Sequence, residues 1–219
     1  MDAGPLLLSL RVATIATALA VLVGVPLAWV LARRRFVGRD LLSVLVVLPM
    51  VLPPTVLGYV LLVALGRQGA IGRAIEGAFG ASLVFTPAAA VVAAFVAATP
   101  FLIRAAQGGF EQVDATYEEV ARTLGRREWM IFLTVTAPLA WRGILAGVAL
   151  CFARAIGEFG ATIMLAGNIP GRTQTASIAV YDAVQAGRLD QAAAMAIALS
   201  VVAAAALLLL TRVGPQARW

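Results

Sequence analysis

Two ionisable residues stand four positions apart in a stretch of the chain that is otherwise apolar. They are Arg154 and Glu158, which follow the run LAWRGILAGVALCFA. Residues at this spacing share one face of a helix and can form an ion pair. At membrane depth, such side chains mark either a structural ion pair or a pathway for polar solutes. The spacing favours a structural pair, and a direct pathway role for Arg154 stays open.

Neutral polar residues follow this pair and surround the Gly- and Pro-containing segment Gly167–Gly171. They are Thr162, Asn168, Thr173, Gln174 and Thr175. Hydroxyl and amide groups, together with backbone N–H groups at helix starts, suit a tetrahedral anion. Neutral groups of this kind hold an anion weakly enough to release it. Alternatively, these residues cap short helices and contact a partner outside the membrane, and the sequence leaves both interpretations open.

Several kinds of enzyme are excluded by residue types that the sequence lacks. There is no Lys, so no phosphate-binding loop of the G-x-x-x-x-G-K type can form. There is no His and a single Cys, Cys151, which excludes a Ser-His-Asp triad, a Cys/His zinc site and an internal disulfide. We therefore expect no catalytic residue, metal site or cofactor in this chain, and any ATP and Mg²⁺ must be bound by a partner.

The composition is that of an all-α integral membrane protein. Hydrophobic residues make up 62% of the 219 residues and charged residues 13%, and the mean hydropathy is +0.95. Soluble domains are about half apolar and about a quarter charged. The length permits one domain, residues 1–219, and five apolar segments are long enough to span a bilayer. The predicted spans are 6–31, 41–65, 84–103, 131–156 and 189–210, with a polar loop at 107–130.

The distribution of Arg residues predicts the orientation of these spans. The net charge is +6, which can indicate nucleic-acid binding, but we expect no such partner because the arginines follow the spans. One side holds Arg33, Arg34, Arg35, Arg39, Arg104, Arg122, Arg126, Arg127, Arg142, Arg212 and Arg218, and the other holds Arg11, Arg67, Arg73, Arg172 and Arg188. The Arg-rich side is cytoplasmic by the positive-inside rule. The N-terminus is thus predicted outside, the C-terminus inside, and lipid around the spans.

Two spans carry residues that disturb or tighten helix packing. Pro49, Pro53 and Pro54 interrupt the second span, which predicts either a kinked packing helix or a broken helix that lines a pathway. The second option makes Pro53 a candidate gate residue. In the fourth span, Gly143, Gly147 and Cys151 recur every four residues. Such a stripe lets another helix approach closely, either within one subunit or across a dimer. A bend is predicted at Thr99–Pro100, and a glycine-rich outer loop at Gly66–Ser82.

The one long polar interruption is Tyr117–Pro138. Thr116 followed by Glu119 has the form of a capping box, which predicts the start of a short helix. Val120, Ala121 and Leu124 then form a small apolar face, and Gly125 is placed to end the helix. Placed between two spans, this helix is predicted to lie in water at the cytoplasmic face.

These motifs resemble those of a known family. Glu119, Ala121, Gly125 and Pro138 match the E-A-A-x-x-x-G…P loop of bacterial ABC importer permeases, from which Val120 and Ala137 depart. Arg154–Thr175, RAIGEFGATIMLAGNIPGRTQT, is similar to the matching stretch of molybdate permeases and more loosely to that of sulfate permeases. LPMVLPPTVLGY, at residues 48–59, extends the likeness over nearly the whole chain.

The resemblance implies a type I ABC importer permease bundle of about five spans in a prokaryotic plasma membrane. It implies a homodimer, with two ATPase subunits docked on the Tyr117–Arg127 loops and an extracytoplasmic molybdate-binding protein. Glu119 then either completes a cap or pairs with a basic residue of the ATPase. Alternatives are a tungstate or sulfate permease, or an ion-coupled secondary transporter. The last requires acidic residues in mid-span, where only Glu158 qualifies, and a non-transporting scaffold would need no proline-broken span.

Overall fold

The computed structural model describes residues 3–213, with side chains to residue 208, and this part of the chain is all-α. Its helices are α1 Gly4–Arg33, α2 Arg39–Val51, α3 Pro54–Leu65, α4 Ala70–Phe79, α5 Pro87–Glu111, α6 Ala115–Thr123, α7 Glu128–Ile131, a π-helix Phe132–Thr136, α8 Ala137–Leu139, α9 Trp141–Ile156, α10 Gly160–Ala166, α11 Ala176–Gln185 and α12 Leu189–Val213. The all-α prediction is confirmed for these residues. Arg218 and the C-terminus lie outside the described residues.

Three helices, α1, α5 and α12, are individually long and apolar enough to cross a membrane. Two further crossings exist only if each of two bent helix pairs counts as one span: α2 with α3, bent by 115°, and the α7–α8 segment with α9, bent by 78°. The count of five spans therefore stays a prediction. The fourth span predicted at 131–156 is not one continuous helix, because the chain turns at Ala140 after a π-helical segment, and its bounds stay a prediction.

Small side chains allow the helices to pack around α5. Ala residues of α1 and α5 are almost fully buried against each other, among them Ala16, Ala20, Ala93 and Ala97. A Cβ atom on Gly143 of α9 would lie 2.5 Å from the Cα atom of Gly109 of α5, and one on Gly147 would lie 2.8 Å from the carbonyl oxygen of Leu102. The small-residue stripe therefore packs within one subunit.

The prolines break the second span rather than merely kink it. Leu52 and Pro53 are extended between α2 and α3, so the predicted break is confirmed, whereas its role in lining a pathway stays a prediction. By contrast, α5 continues as one helix through Pro100, and the bend predicted at Thr99–Pro100 stays a prediction. The outer loop predicted at Gly66–Ser82 is also revised, because it contains α4.

Two irregular regions of the sequence meet in the fold. A Cβ atom on Gly160, at the start of α10, would lie 2.6 Å from Pro54, at the start of α3. Gly58 of α3 faces Ala161 and Met164 of α10 at similarly short range. Because α3 and α10 pack so closely, the proline corner and the corner after α9 adjoin each other.

Candidate functional site

The short helix α6 begins differently from the prediction. Asp114 is its N-cap, and the Oδ1 atom accepts hydrogen bonds from the Thr116 N–H at 2.9 Å and the Thr116 hydroxyl at 2.8 Å. The capping box of Thr116 and Glu119 is therefore wrong, because both residues lie inside the helix. The hydrogen bond from the Thr116 backbone also holds the pKa of Asp114 below its usual value.

The end of α6 lies where the sequence predicts it. Gly125 has a φ of 75°, a left-handed conformation that glycine adopts without strain. Its N–H donates to the carbonyl of Arg122 at 2.9 Å, and the N–H of Arg126 donates to the carbonyl of Ala121 at 3.2 Å. This pair of bonds is the Schellman motif, and the prediction that Gly125 ends the helix is confirmed.

A buried carboxylate fixes α6 to the rest of the fold. Oε1 of Glu118 forms an ion pair with Nε of Arg33, at the end of α1, at 2.9 Å and accepts a hydrogen bond from the hydroxyl of Thr136, in the π-helix, at 2.9 Å. Its Oε2 lies 3.2 Å from Nη2 of Arg122. Sequence reasoning missed Glu118. Its i,i+4 spacing to Arg122 was a signal, but Arg33 and Thr136 are too distant in sequence to be recognised as partners.

A second, more exposed carboxylate extends this network. Glu128 lies 2.7 Å from Nε of Arg122 and 2.7 Å from Nη2 of Arg34. Nη2 of Arg33 donates to the carbonyl of Val113, after α5, at 2.5 Å. These contacts connect α6 with the ends of α1 and α5 and with the segment that enters α9.

The opposite side of α6 presents apolar groups outward. We define the α6 outer face as Tyr117, Val120 and Leu124, which are all more than half exposed, Leu124 at 75%. Only Ala121 of the predicted apolar face is buried, so Val120 and Leu124 do not pack inward as that face implied. Glu119 is also exposed. Apolar side chains displayed on a rigid helix suit contact with a partner.

Arg154 and Glu158 form the predicted ion pair. Nη1 of Arg154 lies 2.5 Å from Oε2 of Glu158 and forms an ion pair with it. The geometry of this contact is not that of a hydrogen bond. Glu158 is buried, and its Oε1 accepts a hydrogen bond from the N–H of Ala161 at 2.7 Å. The structural pair is thus confirmed, and it fixes the turn from α9 into α10. A direct pathway role for Arg154 stays a prediction.

The neutral polar residues do not converge on one open site. The Thr173 hydroxyl accepts from the N–H of Ile169 at 3.1 Å and donates to the carbonyl of Gly167 at 3.3 Å, which closes the loop. Exposed Asn168 bonds to Asp182 and Gln174.

The remaining candidates are divided between the interior and the surface. Thr162 and Thr175 are buried, whereas Pro53 and Pro138 are exposed. Thr175 precedes α11 but makes no side-chain cap. Within the described part of the chain, no three His, Cys, Asp or Glu residues are grouped to hold a metal ion.

Similar proteins place this arrangement in a family. The profile of the family described as "Binding-protein-dependent transport system inner membrane component" matches residues 24–218. The molybdenum transport system permease protein ModB of Escherichia coli K12 is 42% identical over 94% of this chain and 90% of its own length. The protein of the same name from Mycobacterium tuberculosis is 44% identical over 94% of this chain and 76% of its own length.

Solved structures support the fold. A bacterial ABC transporter that imports the acidic polysaccharide alginate matches all of this chain and 82% of its own chain, with a TM-score of 0.72 at 14% identity. The bacterial alginate ABC transporter in complex with an alginate pentasaccharide-bound periplasmic protein matches 94% of this chain and 77% of its own chain, with a TM-score of 0.69 at 18% identity. Because the family profile spans most of the sequence and the named relatives align over nearly all of it, this multi-pass membrane chain belongs to the inner membrane components of binding-protein-dependent transport systems.

Proposed function

We propose that this chain is the permease subunit of an ATP-driven molybdate importer and that it works as a homodimer. The relatives that share 42% to 44% of their residues with it are named molybdenum transport permeases. The similarity covers the stretch Arg154–Thr175, which forms the α9–α10 corner and the loop before α11. Tungstate and sulfate are the competing oxyanions.

The observation that carries this proposal is the α6 outer face. The helix exposes Tyr117, Val120 and Leu124, and the buried ion pair of Glu118 anchors its other side to the fold. An exposed apolar face on a fixed helix suits binding by another protein. We assign that role to an ATPase subunit, one on each permease copy, which binds the ATP and Mg²⁺ and performs hydrolysis. This chain supplies no catalytic residue of its own.

The proposed mechanism is alternating access. Closure of the two ATPases on ATP brings the two α6 helices together, and the ion network passes that motion to α1 and to the segment entering α9. A ligand shifts such an equilibrium only through different affinities for its states, so ATP and the loaded binding protein must both favour the outward-open form. The corner where α3 meets α10, near Pro53, Glu158 and Thr162, is the proposed gate.

The proposed orientation follows from the same assignment. The α6 end faces the cytoplasm of a prokaryotic cell, the N-terminus lies outside, and the C-terminus lies inside. The extracytoplasmic binding protein then delivers the oxyanion at the loop that contains Asn168, Thr173 and Thr175.

A docking variant tests the ATPase contact. Leu124→Asp places a charge on the α6 outer face, and we expect it to abolish co-purification of the ATPase. Val37→Asp is the matched control, because Val37 is fully exposed between α1 and α2 and lies outside the proposed contact. Retention of the ATPase by Leu124→Asp, at the level of the control, would contradict the assignment.

Uptake into proteoliposomes tests the function itself. The permease, its ATPase and its binding protein should accumulate labelled molybdate only with ATP and should continue in the presence of an uncoupler. Uptake that dies with the uncoupler would instead support ion coupling. Competition by unlabelled molybdate, tungstate and sulfate then ranks the substrates.

Glu119 can be tested separately, since it is not part of the N-terminal cap. Glu119→Gln removes only the charge, and reduced ATPase binding would support pairing with a basic residue of the ATPase. Normal binding and uptake by this variant would defeat the charge-pairing role.

A further inference from the structure

A groove lies between α1 and α5 at the end of the molecule opposite α6. Its volume is about 760 Å³, and most of its lining is apolar, including Leu8, Ile15, Leu19 and Val92. Arg11, Arg172 and Gln174 supply its polar groups. The groove thus combines an apolar channel with two guanidinium groups. These features complement an amphiphile that has an anionic headgroup and an apolar tail.

The charges of these two arginines are not neutralised by any side-chain carboxylate in the part of the chain that the structure describes. Arg188, at the same end, pairs with Asp182, and Arg67 lies near Glu76. Among the described residues, neither Arg11 nor Arg172 has an acidic residue within ion-pair distance, and no acidic residue lines the groove. An external anion can therefore complete this site.

The depth of Arg11 identifies the kind of anion. Arg33 marks the α6 end of α1 and lies 22 residue steps after Arg11 in the same helix, which corresponds to about 33 Å of rise. The hydrocarbon core of a bilayer is about 30 Å thick. Arg11 therefore lies at the boundary of the opposite leaflet, where phospholipid phosphates are found.

The residues deeper than Arg11 continue the same surface. Ile15 and Leu19 follow at intervals of four, so they lie on the same side of α1 as Arg11, one and two turns further into the hydrocarbon. Both are exposed at the surface of the subunit. An acyl chain that descends from a phosphate at Arg11 would run along these two side chains.

We propose that this groove binds an anionic phospholipid, with its phosphate held by Arg11 and Arg172 and one acyl chain lying along Ile15 and Leu19. Arginine suits this role because its planar guanidinium can donate two parallel hydrogen bonds to a phosphate. Gln174, whose amide nitrogen already donates one hydrogen bond to Asn168, also lines the groove. The site is independent of the transported substrate.

Native mass spectrometry of the full chain in detergent tests the site. With phosphatidylglycerol and phosphatidylcholine offered in equal amounts, we expect preferential retention of phosphatidylglycerol. The double variant Arg11→Gln/Arg172→Gln should lower its retention at least tenfold, since it removes both charged donors to the phosphate. Arg73→Gln is the matched control, because Arg73 is an exposed arginine of α4 that does not line the groove.

Four outcomes would overturn the proposal. Equal retention of the two lipids, or unchanged retention by the double variant, would show that Arg11 and Arg172 do not hold the headgroup. Complete displacement of phosphatidylglycerol by millimolar inorganic phosphate would show that the site binds a free anion and does not use the acyl chain. A shift from dimer to monomer in the double variant would show that the groove is covered by a second copy. Ile15→Trp, which fills the groove while leaving both arginines, should by contrast weaken lipid retention without changing the oligomeric state.

Discussion

Removal of the charge on Glu118 should weaken the attachment of α6. Glu118→Gln keeps the size of the side chain and can still accept a hydrogen bond from Thr136, but it deprives Arg33 of its ion-pair partner. The side chain of Glu118 is 4% exposed and that of Arg33 is 15% exposed. The pair is therefore largely buried, and its loss leaves an uncompensated charge in the fold.

The expected magnitude follows from this burial. Breaking a buried ion pair by removing one partner costs about 3–5 kcal/mol. Arg122 keeps its contact with Glu128 at 2.7 Å, so the loss falls mainly on Arg33, and we expect the lower end of that range. About 3 kcal/mol corresponds to a change of roughly 100-fold in the equilibrium between docked and released α6.

Two measurements report on this change. Trypsin cleavage after Arg126 or Arg127, both exposed, reports local release of α6. Cys151 is the single cysteine of the sequence and is fully buried, so its labelling by a thiol-reactive dye on heating reports opening of the helix core. Glu119→Gln is the matched control, because Glu119 is the exposed neighbour with the same side chain.

Glu118→Gln should accelerate trypsin cleavage strongly and Glu119→Gln should leave it unchanged. The double variant Arg33→Gln/Glu118→Gln should recover part of the loss, because it removes both charges together. Equal cleavage and labelling rates for Glu118→Gln and Glu119→Gln would refute the assignment of Glu118 as the anchor of α6.

Three further predictions concern helix contacts and ends. Gly143→Ala places a Cβ atom 2.5 Å from the Cα atom of Gly109 and should destabilise the fold by about 1–3 kcal/mol. In Gly108→Ala the new Cβ atom meets nothing within 4 Å, so this variant should stabilise the fold by up to about 1 kcal/mol. The rate of Cys151 labelling on heating distinguishes the two variants. Gly125→Ala forces a left-handed alanine and should speed amide hydrogen exchange in α6 about fivefold, equivalent to about 1 kcal/mol. The hydrogen bond from the Thr116 N–H lowers the pKa of Asp114 in the folded state. The ionised Asp114 therefore stabilises α6 at pH values above its usual pKa, and this stabilisation is lost as the pH falls through the lowered pKa. Asp114→Asn should remove this pH dependence of amide hydrogen exchange in α6.

Local sequence signals predicted the features that depend on local chemistry. Gly125 ends α6 because glycine adopts a left-handed backbone without strain, and Pro53 and Pro54 break the second span because neither residue has a backbone N–H donor. Arg154 and Glu158 pair because one turn of helix separates them. Each of these results depends on residues fewer than five positions apart.

Features that depend on competition or on distant residues were not predicted. Asp114 and Thr116 are both residue types that favour the N-cap position. Asp114 is the N-cap in the structure, so α6 starts earlier than predicted and Glu119 is not part of the cap. The bend at Ala140 and the π-helix before it lie on either side of Pro138, a local signal for a helix break that the prediction of the fourth span did not use. Glu118 meets Arg33 only after α1 and α6 are brought together.

The length of α6 explains why it needs an anchor made of charges. With nine residues, it is shorter than the roughly 12–15 residues that an isolated helix needs for marginal stability in water, so its stability must come from tertiary contacts. An apolar anchor would resemble the α6 outer face, and a helix with two apolar sides can roll to bury either one. The buried carboxylate of Glu118 removes that ambiguity, because its contacts with Arg33 and Thr136 are satisfied in one orientation. The position of Glu118 on this side keeps Tyr117, Val120 and Leu124 outward, as the proposed ATPase contact requires.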